Sequence, residues 1–429
     1  MKKSIKKMVS MIAATIAVGS MLVGCGGSNS GSAEKGSGGD VTLTYAIWDK
    51  NQEPGMRKMA DAFEAKNPGI KVNVEVTAWD QYWTKLEAGA TGNSLPDVFW
   101  MHPNQAARFA SNGVLMDLTD KIKSSSLVSL DKFPKDLVKV YENDGKNYAI
   151  PKDFDTIGLW YNKKLFDEAG VAYPSEKWTW NDLLVASKKL TNAEKGIYGF
   201  AAALDLQSGF DNFIFQNGGQ VLSDDKTKSG FDTPAVKETM QWYVDLSLKE
   251  KVSPTQQQFS ENSPTTMFES GKMAMIFAGS WMLSEFGAND YVAQNCDVTV
   301  LPQGKQRATI YNGLGNTVPA NTPHKEEAWK LVEFLGSEEA NKIQAESGVA
   351  IPAYEGTAEE WVKTQKKFNS KVYAEMLAYA KINPFSKEAN KWQTAEKEAL
   401  LKAFTGEVSV SDACDEAAKK VNEILATEK

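Results

Sequence analysis

The stretch "PKDFDTIGLWYN" carries two carboxylates, Asp153 and Asp155, two residues apart. In an extended chain such residues point to the same side, so both acids would face one ligand. A pair of acids can cleave a glycosidic bond, but they must flank it, about 5 Å or more apart. Neighbours on one strand are better suited to hydrogen-bonding a polyhydroxyl ligand, or to capping a turn. Other catalytic signatures are scarce. The chain has two histidines, His102 and His324, and no HExxH, CxxC, GxSxG or GxxxxGK[ST] pattern. His324 falls in the first turn of a capped helix, a surface position. No metal-ligand cluster is visible, and no cofactor is expected. Gly313-x-Gly315 reads as a turn rather than a phosphate loop.

The stronger signal is aromatic. Trp48, Trp79, Tyr82, Trp83, Trp100, Trp178, Trp180, Trp281 and Trp392 are many for one chain. Core is the default place for any one of them. Trp48, Trp100 and Trp281, however, each stand where an apolar run ends, beside Asp49, near His102 and after Ser280. An indole face stacks on the C–H face of a pyranose, and acids or amides beside it bond the hydroxyls.

The elements needed to position these residues are legible. Val41 to Trp48 alternates at period two, a strand. Met56, Met59, Ala60 and Phe63 recur at helical spacing, and Asn67-Pro68-Gly69 stops that helix. Ile70, Val72, Val74 and Val76 alternate again. Strand, helix, strand is a βαβ unit, hence an α/β fold with a parallel or mixed sheet. In such sheets ligands bind beyond the carboxyl ends of the strands, where the tryptophans stand. Further along, 96–100 reads as a strand followed by a helix through Phe109. Thr179-x-x-Asp182 is a capping box, and 273–277 is a buried strand. Thr322-Pro323 predicts a helix start, Ser337 another, and Gly348 an end. From Trp361 onward the pattern is helical, broken at Asn383-Pro384.

The chain is long enough for two lobes. Its N-terminus has lysines at 2, 3, 6 and 7, then an uncharged run ending at Leu22-Val23-Gly24-Cys25. Charge, apolar run and small residues spell a secretory signal over 1–24. Residues 25–40 are rich in Gly and Ser and read as a flexible tether. Beyond residue 24 the chain carries 44 basic and 55 acidic residues. That balance argues against nucleic acid or anionic lipid as partner. Cys296 and Cys414 lie far apart outside any CxxC pair, and two free thiols are expected.

Leu-Val-Gly-Cys resembles the bacterial lipobox, which implies acylation of Cys25 and a lipid-anchored protein on the extracytoplasmic face, a Gram-positive surface being preferred. Further motifs carry a wider resemblance: "ADAFEAKNPGIKVNVEV", "LPDVFWM", "YAIPKDFDTIGLWYNKKLFDEAG", "KWTWNDLLVASKKLT", "FESGKMAMIFAGSWML" and "HKEEAWKLVEFLGSEEANKIQAESGVAIPA". Their order and spacing resemble the family 1 extracellular solute-binding proteins of sugar ABC importers. The resemblance implies a two-lobed, type II periplasmic-binding-protein-like fold with a ligand cleft. It places one lobe at 41–152 plus 312–350 and the other at 158–305 plus 351–429. Hinge crossings would lie at 153–157, 306–311 and 350–352. It implies a monomer that binds a sugar, an oligosaccharide by preference, and delivers it to permease subunits. The expected site residues are Trp48, Asp49, Trp79, Asp97, His102, Asn312 and Gly313 from one lobe, with Asp153 and Asp155 on a crossing. Phe210, Trp281 and Trp392 would come from the other. A polyamine or peptide ligand, and a glycan-active enzyme, stand as alternatives.

Overall fold

The computed structural model describes residues 40–428, so the signal, Cys25 and most of the tether lie outside the described residues. The first strands and helices are β1 (Val41–Ile47), α1 (Glu53–Lys66), β2 (Ile70–Val76), α2 (Trp79–Gly92), β3 (Val98–Met101) and α3 (Pro103–Ser111). After them come β4 (Ile150–Pro151), β5 (Asp153–Asn162), β6 (Met275–Gly279), β7 (Cys296–Thr299), β8 (Ile310–Asn312) and β9 (Gly315–Thr317). The last named elements are α4 (Lys325–Leu335), α5 (Glu338–Ser347), β10 (Ile351–Pro352), β11 (Lys381–Ile382), α6 (Ala389–Phe404) and α7 (Val410–Leu425).

The strands form two main sheets. The first runs β2-β1-β3-β9-β4. Its β1 lies parallel to both β2 and β3, while β9 is antiparallel to β3 and β4. The apolar periodicity accounts for its cover: Met56, Met59, Ala60 and Phe63 form the buried stripe of α1.

The second sheet is built around the ten-residue β5. Its first half pairs with β10 and β8, through Phe154–Ile351 and Asp155–Asn312. Its second half pairs with β6 and β7. Alternation divides its side chains between two cores. Leu159, Tyr161, Met275, Phe277 and Ile310 enter a cluster closed by α6 and α7. Trp160, Ile276, Ala278, Val298 and Tyr311 face the other way, into a cluster continuous with the first sheet. A sheet buried on both faces explains why "TIGLWYN" reads as an unbroken apolar run.

Three segments pass between the sheets. They cross at Lys152, at Gly313–Leu314 and just before Ile351. Residues 153–157 therefore lie inside β5, past the crossing, and Ile310–Asn312 precedes the second crossing as β8. Lys152 joins all three segments. Its backbone N–H donates to Leu314 O (2.7 Å), and its carbonyl accepts from Ala353 N–H (3.2 Å). Its ammonium donates to Asp153 Oδ2 (2.5 Å) and Gln52 Oε1 (2.8 Å) and lies 4.3 Å from the centre of the Trp100 ring. Gly313 is required here: a Cβ would overlap the backbone carbonyl of Asp153.

Two local readings are corrected. The helix expected at Thr322-Pro323 begins at Lys325, because the Thr322 hydroxyl bonds Asp97 and His324 N–H in a preceding turn. His324 is not a simple surface residue, since its Nδ1 lies 3.1 Å from Asp97 Oδ1. Cys296 and Cys414 are free and buried, in different clusters, and burial pushes each thiol up to about 12.

Lys152→Met should destabilise the protein by about 3–5 kcal/mol, because it leaves a buried carboxylate without its counter-charge. Denaturant unfolding measures this. Adding Asp153→Asn should recover part of the loss, and a fully additive double mutant would show that the pair is not coupled.

Candidate functional site

Between the sheets lies a cavity of about 410 Å³, within the usual range for small-ligand sites. Its wall from the first sheet carries Trp48, Asp49, Asn51, Gln52, Trp79 and His102; the second sheet supplies Asp153, Asp155, Gln207, Ser280, Trp281 and Glu285.

Trp48 follows the last residue of β1, so its side chain emerges at the carboxyl end of the sheet. Its ring meets Trp79 edge-on at 5.0 Å and Trp100 at 5.1 Å. Trp79 is the first residue of α2, one turn before the buried Tyr82, and remains 44% exposed. An exposed indole propped by another indole and by the His102 ring at 5.3 Å is a rigid stacking platform. Asp49 accepts from Asn51 N–H (2.8 Å) and Gln52 Nε2 (3.1 Å), which ties it to the Lys152 group.

His102 caps α3, its Nδ1 accepting from Asn104 N–H at 3.2 Å. Burial holds its pKa down, to about 4, so the ring is neutral. A neutral imidazole has one N–H, which must then be on Nε2. The Asn312 side-chain amide lies 3.1 Å from Nε2. The amide must therefore present its oxygen to His102, which satisfies an acceptor that is otherwise buried without a partner.

The two aspartates differ. Asp153 is buried, and both its oxygens are engaged, by Lys152 Nζ and by Leu314 N–H (2.8 Å). Asp155 is half-buried at the cavity floor and accepts from Gln207 Nε2 at 3.1 Å. Burial, reinforced by the negative charge of Asp153, pushes Asp155 up to about 8. At neutral pH it holds its proton and can both donate and accept.

Trp281 stands in the turn after β6. Gly279 permits its pose, because a Cβ there would overlap the indole. The family described as "Bacterial extracellular solute-binding protein" matches residues 49–342, more than half of the chain. The chain belongs to this family. It is similar to the galactooligosaccharide-binding protein of Bacillus subtilis, 26% identical over 98% of this chain and 97% of that protein. Among solved structures it is similar to an ABC substrate-binding protein of Listeria monocytogenes in complex with cycloalternan. That likeness has a TM-score of 0.83 and 28% identity, covering 90% of this chain and 99% of the other. It is also similar to the cyclic alpha-maltosyl-1,6-maltose binding protein of Arthrobacter globiformis. There the TM-score is 0.75 at 25% identity, over 91% of this chain and all of the other. The two-lobed fold with a ligand cleft is thus that of the family.

Within this solute-binding protein the cavity brings together Trp48, Asp49, Trp79, His102, Asp153, Asp155, Trp281 and Asn312. Four expected residues are not lining residues. Asp97 bonds Thr44 N–H (3.0 Å), Thr322 and His324, fastening the first sheet to the turn before α4. Phe210 is fully buried against Phe231 and Tyr243. Trp392 is buried in the core of α6, its Nε1 donating to Ser386 Oγ at 2.8 Å. Gly313 is needed for backbone approach rather than contact with ligand. Trp100, also at a strand end, is wholly buried and donates to the Tyr45 hydroxyl at 2.7 Å.

Sequence reasoning missed Asn51, Gln52, Gln207 and Glu285 as lining residues. Gln207 sits in an irregular turn, Leu206–Phe210, pinned by Asp205 accepting from Ser208 N–H at 2.6 Å. No periodic pattern marks it. The one available signal is Gly209, which interrupts the run before "FDNFIFQ".

Asp155 makes stability depend on pH. Unfolded, its carboxyl titrates near 4; folded, near 8. Folding therefore takes up a proton in this window, and stability falls as pH rises through it. Melting temperatures from pH 5 to 9 should show the wild type losing ground to Asp155→Asn, by up to about 1 kcal/mol per pH unit. Parallel curves would contradict this.

Proposed function

We propose that this protein captures an oligosaccharide outside the cytoplasm and delivers it to the permease of an ABC importer. The carrying observation is a cleft between two sheets lined by indoles on both sides, the exposed Trp79 and half-buried Trp48 against the half-buried Trp281, with acids and amides between them. Stacked rings plus paired polar groups suit a polyhydroxyl ligand of low charge. A polyamine fits less well. Lys152 neutralises Asp153, and Asp155 keeps its proton at neutral pH, so two of the four acids of the cleft, Asp49 and Glu285 being the others, offer a polycation no charge.

The protein performs no chemistry on its ligand. Asp153 has no free oxygen to act as base or nucleophile. Glu285 shares the cavity with Asp155, but both belong to the half built on the second sheet rather than flanking the cleft. Transport needs only that the two halves close on the sugar, driven by contacts that both make. Acylated Cys25 holds the protein on the membrane, the tether supplies reach, and a monomer suffices.

Removing a stacking face should weaken binding. Trp79→Ala and Trp281→Ala are each expected to lose about 1–2 kcal/mol of sugar affinity, roughly 5- to 30-fold. Trp392→Phe should leave affinity unchanged while lowering the melting temperature. Tryptophan fluorescence and calorimetric titration with galacto- and maltooligosaccharides read these effects. Release of smaller sugars overnight would instead establish an enzyme, and a response to polyamines alone would overturn the ligand class.

A further inference from the structure

Two acids stand inside the second core without a partner. Glu396, on α6, is 0% exposed, and Asp211, which opens the short helix Asp211–Gln216, is 2% exposed. Neither oxygen of Glu396 meets a hydrogen-bonding group, and nor does the buried Oδ1 of Asp211. Their neighbours along the chain, Phe210, Trp392, Ala399 and Leu400, all belong to one apolar cluster. An isolated carboxylate is costly in such surroundings. Burial accordingly pushes both carboxyls up, and the charge of Asp205 adds to this for Asp211, as that of Asp211 does for Glu396. Lys397 on α6 opposes the shift of Glu396 without cancelling it. The other titratable groups facing the pair are Tyr243, on the helix Pro234–Leu248, and Cys414, on α7; burial pushes both up, so they stay neutral.

We propose that Asp211 and Glu396 form a protonated carboxyl pair that holds Gln207 in the cleft, and that loss of its protons weakens ligand binding. The inference rests on the sugar-binding reading above. Chemistry argues for the pair, since a protonated carboxyl both donates and accepts, and two of them supply the partners that these oxygens otherwise lack. Chain connectivity argues for the role. Asp211 directly follows the turn Leu206–Phe210, which aims Gln207 Nε2 at Asp155 Oδ1. Asn212, the next residue, ties that turn to the second sheet: its Nδ2 donates to Gln207 O (2.7 Å) and Gly209 O (3.2 Å), and its Oδ1 accepts from Ile310 N–H (2.8 Å). Joined to Glu396, the base of the turn is also held to α6, which reaches the first half through Gln393 and Asn104.

Neither acid lines the cleft, so both are positioning residues that act through Gln207. One proton is enough to join them. Removing the last one leaves two negative charges in an apolar core, where they repel and part the turn from α6. Binding should therefore weaken as pH rises above neutrality.

The test compares the full chain, in a detergent without a sugar headgroup, with its Glu396→Gln variant, whose amide can donate to Asp211 at any pH. Asp211→Asn does the same from the other side, should one variant fail to fold. Infrared difference spectra read the pair without ligand. Wild type minus Glu396→Gln should show a protonated-carboxyl band at pH 7 that fades towards pH 10, and absence of that band at pH 7 would overturn the pair. Calorimetric titration reads the positioning, with whichever linear galacto- or maltooligosaccharide binds best at pH 7. The two forms should agree at pH 7, and by pH 10 the wild type should bind about fivefold more weakly, the loss expected for one hydrogen bond. Asp155 titrates in both forms and so does not create this gap. Replacing Gln207 by Ala in both forms should close the gap, which a general loosening of the fold would not do. Circular dichroism at each pH confines the comparison to folded protein. Parallel curves, or a gap that survives Gln207→Ala, would overturn the positioning role and leave the sugar reading intact. Absence of binding by any sugar to the wild type at pH 7 would sink the sugar reading and the link to binding, while the infrared band would still decide the pair.

Discussion

The buried pair Lys152–Asp153 is the constraint on which the rest of the molecule hangs. Burying two charges costs several kcal/mol per ion, repaid only when geometry and further bonds are good. Here the ammonium has Asp153, Gln52 and the Trp100 ring, and the carboxylate has Leu314 N–H as well. The same residue bonds its backbone to the two other crossing segments. A single neutralised group thus fixes three chain segments at the base of the cleft. It also sets the chemistry above it, since Asp153 spends its charge on lysine yet still raises the pKa of Asp155.

The second sheet transmits this fixed point outward. Because β5 begins at Asp153, Asp155 faces the cleft one pleat later, while the apolar remainder of the strand is buried on both faces. Strand β6 pairs antiparallel with β5 and ends opposite Ile157 at Gly279, which sets Trp281 beside the cleft. Position and pose therefore have separate causes: register delivers the turn, and the missing Cβ lets the indole lie against the backbone.

This division explains what the sequence reveals. Periodicity makes β1, α1 and β2 readable because each buries one face, and period two makes the Asp153–Asp155 pair visible. It does not separate Trp48 from Trp100. Both stand near strand ends beside polar residues, but β3 lies between β1 and β9, so Trp100 points into a closed core and finds the Tyr45 hydroxyl. Phe210 and Trp392 mislead for a related reason: which face of a helix or turn meets the core depends on partners distant in the chain. Gln207 carries no periodic signal, since a five-residue turn is too short for a period to emerge.

The two halves contribute different groups to the cleft. The second half holds Asp155, Gln207, Trp281 and Glu285, and the first offers Trp48, Trp79 and His102 beside Asp49, Asn51 and Gln52. A sugar can gain polar contacts from both sides of the cleft. The first half also adds stacking on Trp48 and Trp79, and its His102 bonds Asn312 of β8 on the second sheet. Direct contact between helices of the two halves includes a bond from Asn104 Nδ2 on α3 to Gln393 Oε1 on α6, at 2.8 Å. One neutral hydrogen bond contributes only about 0.5–1.5 kcal/mol net. Stacking on one indole contributes a similar amount, about 0.5–1.5 kcal/mol, so ligand contacts that span the cleft count on the same scale as the bonds that join its walls.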